Sequence, residues 1–392
     1  MALSASGRSG FSFGVRKPPQ VWPAHCLPLF AGWYNPSKGI TLKAENMGNS
    51  GHQNSLDAMR FVLSSGVLFS HHFALSGFIE PKFPLLDISV GNFAVFAFFA
   101  ISGFLMYGSL NRSNNFFFYF TSRILRLAPG LIVAVVITSF FLMLIFDNFS
   151  NFSSHLYYIQ RDSFSFVSEP SYFINGIFDD RPNRGVNGSL WTLQYEFFMY
   201  IVMFGVFLLP RKIVPFAIIF LLCSFVFYYY FQPNRIYHLG TFHLNNEYLL
   251  SNGFHFLSGA LIAHFWPSIS ANRLTFAITS LCLAALFILV FPLERLIGIG
   301  LLWVSFLIAC MSPIVSKFSK IGDASYGVYI YAFPIQQTMI IFVVGFWASM
   351  AAAFLSTVGV SFLSWHLIEK TALYRRKNVS MLLSDFSKRL RI

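Results

Sequence analysis

Apolar residues fall in long runs separated by short polar segments, at about 61–78, 89–107, 131–146, 190–209, 213–231, 248–266, 274–291, 296–312, 325–344 and 346–367. A helix rises ~1.5 Å per residue, so about 20 apolar residues cross a ~30 Å hydrocarbon layer. The pattern predicts an all-α, polytopic membrane helix bundle of about ten transmembrane helices. No internal repeat is visible. Residues 1–56 are rich in Ser, Gly, Pro and Asn and lack the apolar stretch of a signal peptide. They read as a disordered cytosolic leader, or as an over-extended start with Met47 opening a shorter one. The membrane domain is expected over 57–370 and a basic cytosolic tail over 371–392.

Composition agrees with this reading. The chain has 392 residues, 56% hydrophobic and only 11% charged, against about 25% charged in soluble domains. A net charge of +12 raises the question of a nucleic-acid partner, but the distribution excludes it. All but six of the 27 Lys and Arg fall on one side of the predicted spans; Lys82, Arg161, Arg181, Arg184, Arg235 and Arg295 lie on the other. The richer side is the cytosolic one. An even number of spans then puts both termini in the cytosol, with membrane lipids as the chain's surroundings. The four cysteines have no metal spacing, and three lie in predicted spans, where Cys packs as a small residue.

Few residues are placed for chemistry. His71 lies eleven positions after Arg60, roughly 16 Å along a helix and halfway through the membrane. An ionisable group at that depth is a functional-site hypothesis by default. It reads either as a packed histidine bonded to a backbone carbonyl or as a general base, since burial keeps imidazole neutral. His72 points about 100° away and is expected to pack. Glu196 is the carboxylate inside a span, at nearly the depth of His71; it is read as a structural partner or as the group that orients a histidine or an incoming hydroxyl. Arg123 and Arg126 share a helical face and, with Arg60, form either a headgroup anchor or a fork for the phosphates of a cytosolic donor. Ser102-Gly103 allows close helix approach, and no elbow motif makes Ser102 a nucleophile. His238, His243 and His255 gather toward the outer face without zinc-ligand spacing, so no metal is expected.

These residues fall in a recurring order. Arg60 and His71 are followed by Ser102-Gly-Phe-Leu105, by Arg123 and Arg126 with Pro129, by Ser189-Leu-Trp-Thr-Leu-Gln-Tyr-Glu196, by Ser325-Tyr326 with Tyr329, and by Glu369. In this the chain resembles the acyltransferase-3 family of bacterial integral-membrane O-acyltransferases. The resemblance implies ten helices in the bacterial cytoplasmic (inner) membrane. It also implies transfer of an acyl group, usually acetyl from cytosolic acetyl-CoA, to a hydroxyl of a saccharide or glycolipid at the outer side. It marks His71 as the essential base and Arg60, Arg123 and Arg126 as the donor-binding group. Glu196 holds the reacting groups, and Ser102, Trp191 and Tyr326 are candidate substrate contacts. Whether His71 takes a proton or transiently carries the acyl group stays open. Two positions depart from the family: Ala332 stands where a His is common, and no Pro follows Glu369 within Lys370-Thr371-Ala372. A transporter or flippase of a lipid-linked or small polar substrate is the rival class, though matched Gly- or Pro-broken repeats are not seen.

Overall fold

The computed structural model describes residues 51–112, 115–147, 149–231, 235–291, 295–310 and 323–389. It is 78% helical and all-α in class. The helices are α1 (Gly51–Leu75), α2 (Val90–Arg112), α3 (Phe116–Leu142), α4 (Phe152–Asp162), α5 (Trp191–Val206), α6 (Val214–Phe231) and α7 (Asn246–Ala271). They continue as α8 (Arg273–Val290), α9 (Arg295–Cys310), α10 (Ser325–Phe342), α11 (Phe346–Ser364), α12 (Lys370–Tyr374) and α13 (Arg376–Arg389). Two short antiparallel hairpins interrupt them: β1 (Lys82–Phe83) with β2 (Ile88–Ser89), and β3 (Ile236–Leu239) with β4 (Phe242–Asn245).

Among the described residues five segments are long and apolar enough to cross a membrane by length and composition: Val90–Arg112, Phe116–Asp147, Val214–Phe231, Arg273–Val290 and Phe346–Tyr374. The other long helices miss that measure for a physical reason. α1, α7 and α10 carry polar residues, such as His71 on α1, Asn252 and His255 on α7, and Gln336 and Gln337 on α10, whereas α5 and α9 are only 16 residues long. α10 buries nearly every residue from Ser325 to Pro334. α6 buries only Val214 and Ile218, and α8 only Ser280 and Ala284. α10 therefore sits at the centre and the uniformly apolar α6 and α8 at the periphery, while α2, apolar as well, is largely buried.

Small residues set the closest contact, that of α2 with α7. A Cβ on Gly103 would lie 1.8 Å from the Phe256 carbonyl oxygen, and one on Gly259 would lie 1.8 Å from that of Ala100. Backbones meeting this closely gain dispersion contact along the whole seam. α8 hangs on α9 by serine hydroxyls, Ser280 donating to Leu301 O at 2.7 Å and Ser305 to Ala277 O at 2.7 Å.

Three expectations change. The sequence places a break at Pro129-Gly130, yet α3 runs through both, so Arg123 and Arg126 stand on the spanning helix itself. Beside this proline the Tyr326 hydroxyl donates to Leu127 O at 2.7 Å, tying α10 to α3. The connection at 147–188 is packed rather than simply polar. It contains α4, whose His155 meets Ser139 of α3 at 2.9 Å and lies 3.6 Å from Asp147. All three are buried, so this Ser-His-Asp set fastens α4 to α3 and has no access to substrate. Burial depresses the His155 pKa below the usual histidine value, with the Asp147 charge opposing. Beyond α11, a five-residue π-helical segment, Trp365–Glu369, leads into α12 and α13. The tail folds back on α3, with the Arg376 guanidinium 5.8 Å from the Phe118 ring. Residues 1–50, with most of the expected leader, and Lys317 and Lys320 lie outside the described residues.

Candidate active site

A cavity of about 440 Å³ opens among α1, α2, α3, α5 and α10 at the Arg60 end of α1. Arg60, Arg123, Arg126 and Arg376 line it, with Asp57, Asp323, Glu196, Ser102, Tyr200, Tyr326 and Tyr329. The three expected arginines are thus brought together, and the tail adds a fourth.

Asp323, just before α10, is the counter-ion at their centre. It pairs with Arg126 and lies 3.4 Å from Arg60, and Ser325 donates to its other oxygen. Burial works against its charge, yet Arg126, Arg60 and Ser325 hold its pKa below the ordinary carboxylate value. Arg126 also reaches Glu369 at 3.5 Å and lies over the rings of Tyr326 and Trp365, 5.7 and 5.5 Å from their centres. Gly130 makes room for this stack: a Cβ there would come within 3.0 Å of the Tyr326 ring and 3.3 Å of Glu369. Arg123 has no carboxylate partner among the described residues, and its buried Nε has no hydrogen-bond acceptor.

Glu196 belongs to this cavity. Ser102 donates to its Oε1 at 2.6 Å and Tyr200 at 2.5 Å. The sequence sets Glu196 and His71 at similar depth, but the structure puts them in different cavities. Trp191 shares a cavity with His71, and five residues further along α5, roughly 7.5 Å, Glu196 has already passed into the arginine cavity.

His71 lies where two smaller cavities meet. One, of about 200 Å³, is lined by His71, Glu80, Asn183, Gly188 and Phe333. The other, of about 280 Å³, is lined by His71, Glu80, Gly91, Asn92, Val95, Trp191 and Tyr329. Glu80 is the carboxylate that shares both with the histidine. The imidazole stands edge-on to Phe333, with ring centres 5.6 Å apart. His72 turns away, as its 100° offset predicts, and binds Ser349 of α11 at 3.1 Å. Val95 and Tyr329 border both the arginine cavity and the larger His71 cavity. Tyr329 is fixed there by Thr192 at 2.7 Å and by donating to Ser189 O at 3.0 Å.

The histidine group divides. His238 and His243 pair on the β3–β4 hairpin with ring centres 4.6 Å apart, and His243 meets Glu169 at 2.8 Å. His255 is buried within α7, stacked on Phe96 at 4.3 Å.

Sequence reading missed Asp323, Glu80, Asp57 and Arg376. Asp57 had a local signal, one helical turn before Arg60. Glu80 had another, a carboxylate in a Glu-Pro turn nine residues after His71, near enough to fold back. Asp323 lies 263 positions from Arg60, and no local pattern joins them.

A family model described as an acyltransferase domain matches residues 53–366. The chain belongs to the acyltransferase-3 family. It is 32% identical over 339 residues to a protein named O-acetyl transferase of Shigella phage Sf6, covering 82% of this chain and 96% of that one. It is 27% identical over 374 residues to Nodulation protein 10 of Rhizobium leguminosarum bv. viciae, covering 85% and 97%. No solved structure matches it. Family and homologue together support an enzyme that transfers acyl groups to oxygen, in a chain whose apolar helices suit a multi-pass membrane protein.

Proposed function

We propose that the protein moves an acetyl group from acyl-CoA, entering at the Arg60 end, to a hydroxyl of a cell-envelope or secreted saccharide presented at the Glu80 end. The observation that carries this reading is the back-to-back placement of two polar cavities across Val95 and Tyr329, one lined by arginines and the other by His71. Ten described helices of 16 to 27 residues match the ten apolar runs. With the one-sided Lys and Arg, they support ten spans in a bacterial cytoplasmic membrane and both termini in the cytosol. The homologue's name, O-acetyl transferase, favours acetyl.

The arginine cavity fits an acyl-CoA donor. Guanidiniums present planar, bidentate donors to phosphate oxygens, and the buried Nε atoms of Arg60 and Arg123 have no acceptor among the described residues. Among the described residues Arg123 has no carboxylate partner, whereas Arg60 and Arg126 are shared with Asp323. The thin thioester-bearing arm then enters past Ser102 and Tyr326 toward Tyr329, while the bulky nucleotide end stays at the mouth. On the other side, His71 takes the proton of the acceptor hydroxyl. The acceptor oxygen bonds to the thioester carbon, the carbon–sulfur bond breaks, and the departing thiolate takes the proton from the imidazolium. Both substrates are desolvated where they meet, which strengthens each electrostatic contact.

The test is transfer from radiolabelled acetyl-CoA to envelope glycans in membranes carrying the protein. Wild type is expected to give base-labile acetyl glycan, and His71→Ala to reduce it at least about 100-fold. Equal labelling by the two proteins rules the reading out. A transporter or flippase, the rival class, releases no free CoA from acetyl-CoA in this assay.

A further inference from the structure

The carboxylate beside His71 comes from the turn after α1, and a set of contacts holds it there. Phe78 N donates to Phe73 O at 2.8 Å, folding the chain back over the end of α1, and Val90 N donates to Pro81 O at 3.0 Å, closing the loop. Lys82, two residues on, pairs with Asp87 at 3.2 Å and also lines the larger cavity, but among the described residues no cation pairs with Glu80. Ser70, the residue before His71, is buried and donates to Glu80 Oε2 at 2.6 Å. α2 makes room for this bond with a glycine: a Cβ on Gly91 would lie 3.2 Å from the Ser70 side chain and 3.6 Å from Glu80 Oε2. Among the described residues the other carboxylate oxygen has no hydrogen-bond donor. Glu80 lines both cavities that His71 lines.

We propose that Glu80 is the positioning residue of His71. The structure shows no direct bond between the two side chains, which share the lining of both cavities; in the working state the free oxygen accepts the N–H of one ring nitrogen, which leaves the other nitrogen bare in the cavity to take the acceptor's proton. This rests on the acyl-transfer reading above. A carboxylate in this place fixes the tautomer and ring orientation and stabilises the imidazolium once formed, while itself staying ionised. Ser70 then holds the carboxylate, and the Glu80-Pro81 turn, with its β1–β2 hairpin, serves as the mount.

Glu80→Gln separates this role from mere fastening of the turn, because an amide oxygen still accepts from Ser70. In membranes assayed with radiolabelled acetyl-CoA, Glu80→Gln is expected to lower kcat about 100-fold with KM for acetyl-CoA unchanged. Glu80→Asp is expected to recover a substantial part of that loss. Ser70→Ala, which keeps the carboxylate and removes its tether, is expected to lower kcat about tenfold at the wild-type level of folded protein. Activity of Glu80→Gln and Ser70→Ala within twofold of wild type, with His71→Ala inactive, overturns the assignment and leaves the acyltransferase reading standing. Equal activity of His71→Ala and wild type removes the acyltransferase reading, and with it this one.

Discussion

Arg123 and Arg126 are one helical turn apart and look equivalent in the sequence, yet they stand in different electrostatic positions. Arg126 compensates two buried acids, Asp323 and Glu369. Its removal leaves Glu369 without its cation and Asp323 with Arg60 alone, and breaking a buried pair costs about 3–5 kcal/mol. Arg126→Ala is therefore expected to lower the thermal stability of the detergent-solubilised protein sharply. Arg123 has no such partner, so Arg123→Ala is expected to leave stability within about 0.5 kcal/mol and to raise KM for acetyl-CoA roughly tenfold. Thermal unfolding and donor titration of the two variants check this; equal destabilisation contradicts it. The pair of arginines was legible from spacing, and so was the placing of Arg60 and His71 on one helix. Their carboxylate partners were not, because an ion pair closed across 197 or more positions, as for Arg126 and Asp323, has no local periodicity to betray it. Glu196 shows a related limit: depth along a helix was readable, but which cavity its side chain enters depends on neighbouring helices.

Elements follow the sequence wherever a run is apolar and uninterrupted, and part from it where polar residues turn inward. The sequence reads 147–188 as a long polar connection, yet its Asp162 is buried and accepts from Ser171 N at 2.9 Å. Burial raises the Asp162 pKa from 3.8 to about 6, against the Ser171 hydrogen bonds. Between those values the folded state keeps a proton that the unfolded chain has lost, so stability falls as pH rises from about 4 to 6 and then levels. A shift of about two units corresponds to roughly 3 kcal/mol. Asp162→Asn lacks this slope and is expected to be the more stable protein at pH 8 but not at pH 4, in thermal unfolding across that range. Superimposable curves sink the idea. The seam of α2 and α7 offers a second check. Gly103→Ala puts a methyl 1.8 Å from a backbone oxygen, so the helices must part and stability is expected to fall by more than about 3 kcal/mol. A Cβ on Gly205 of α5 would meet nothing within 4 Å, and Gly205→Ala is expected to be neutral or stabilising by up to about 1 kcal/mol.

At the scale of the whole molecule, the proposed transfer has the arginine cavity and the His71 cavities open to opposite sides of a membrane. α1 links the two, with Arg60 toward one end and the Glu80 turn just beyond the other. If it crosses the bilayer, Lys82 and the tail residue Lys377 face different compartments. Lys82 pairs with Asp87 only at the exposed surface, where an ion pair is worth little, and Lys377 is exposed on α13. Cysteine at either position is therefore expected to leave the fold intact, once the native cysteines, including the exposed Cys223 and Cys282, are replaced. In intact cells a membrane-impermeant maleimide is expected to label Lys82→Cys and to spare Lys377→Cys, which becomes reactive only after the membrane is opened. A donor such as acetyl-CoA cannot cross unaided, so labelling of both positions from outside would leave the arginine cavity facing a compartment without donor. Transfer between opposite faces would then be abandoned in favour of chemistry on a single side.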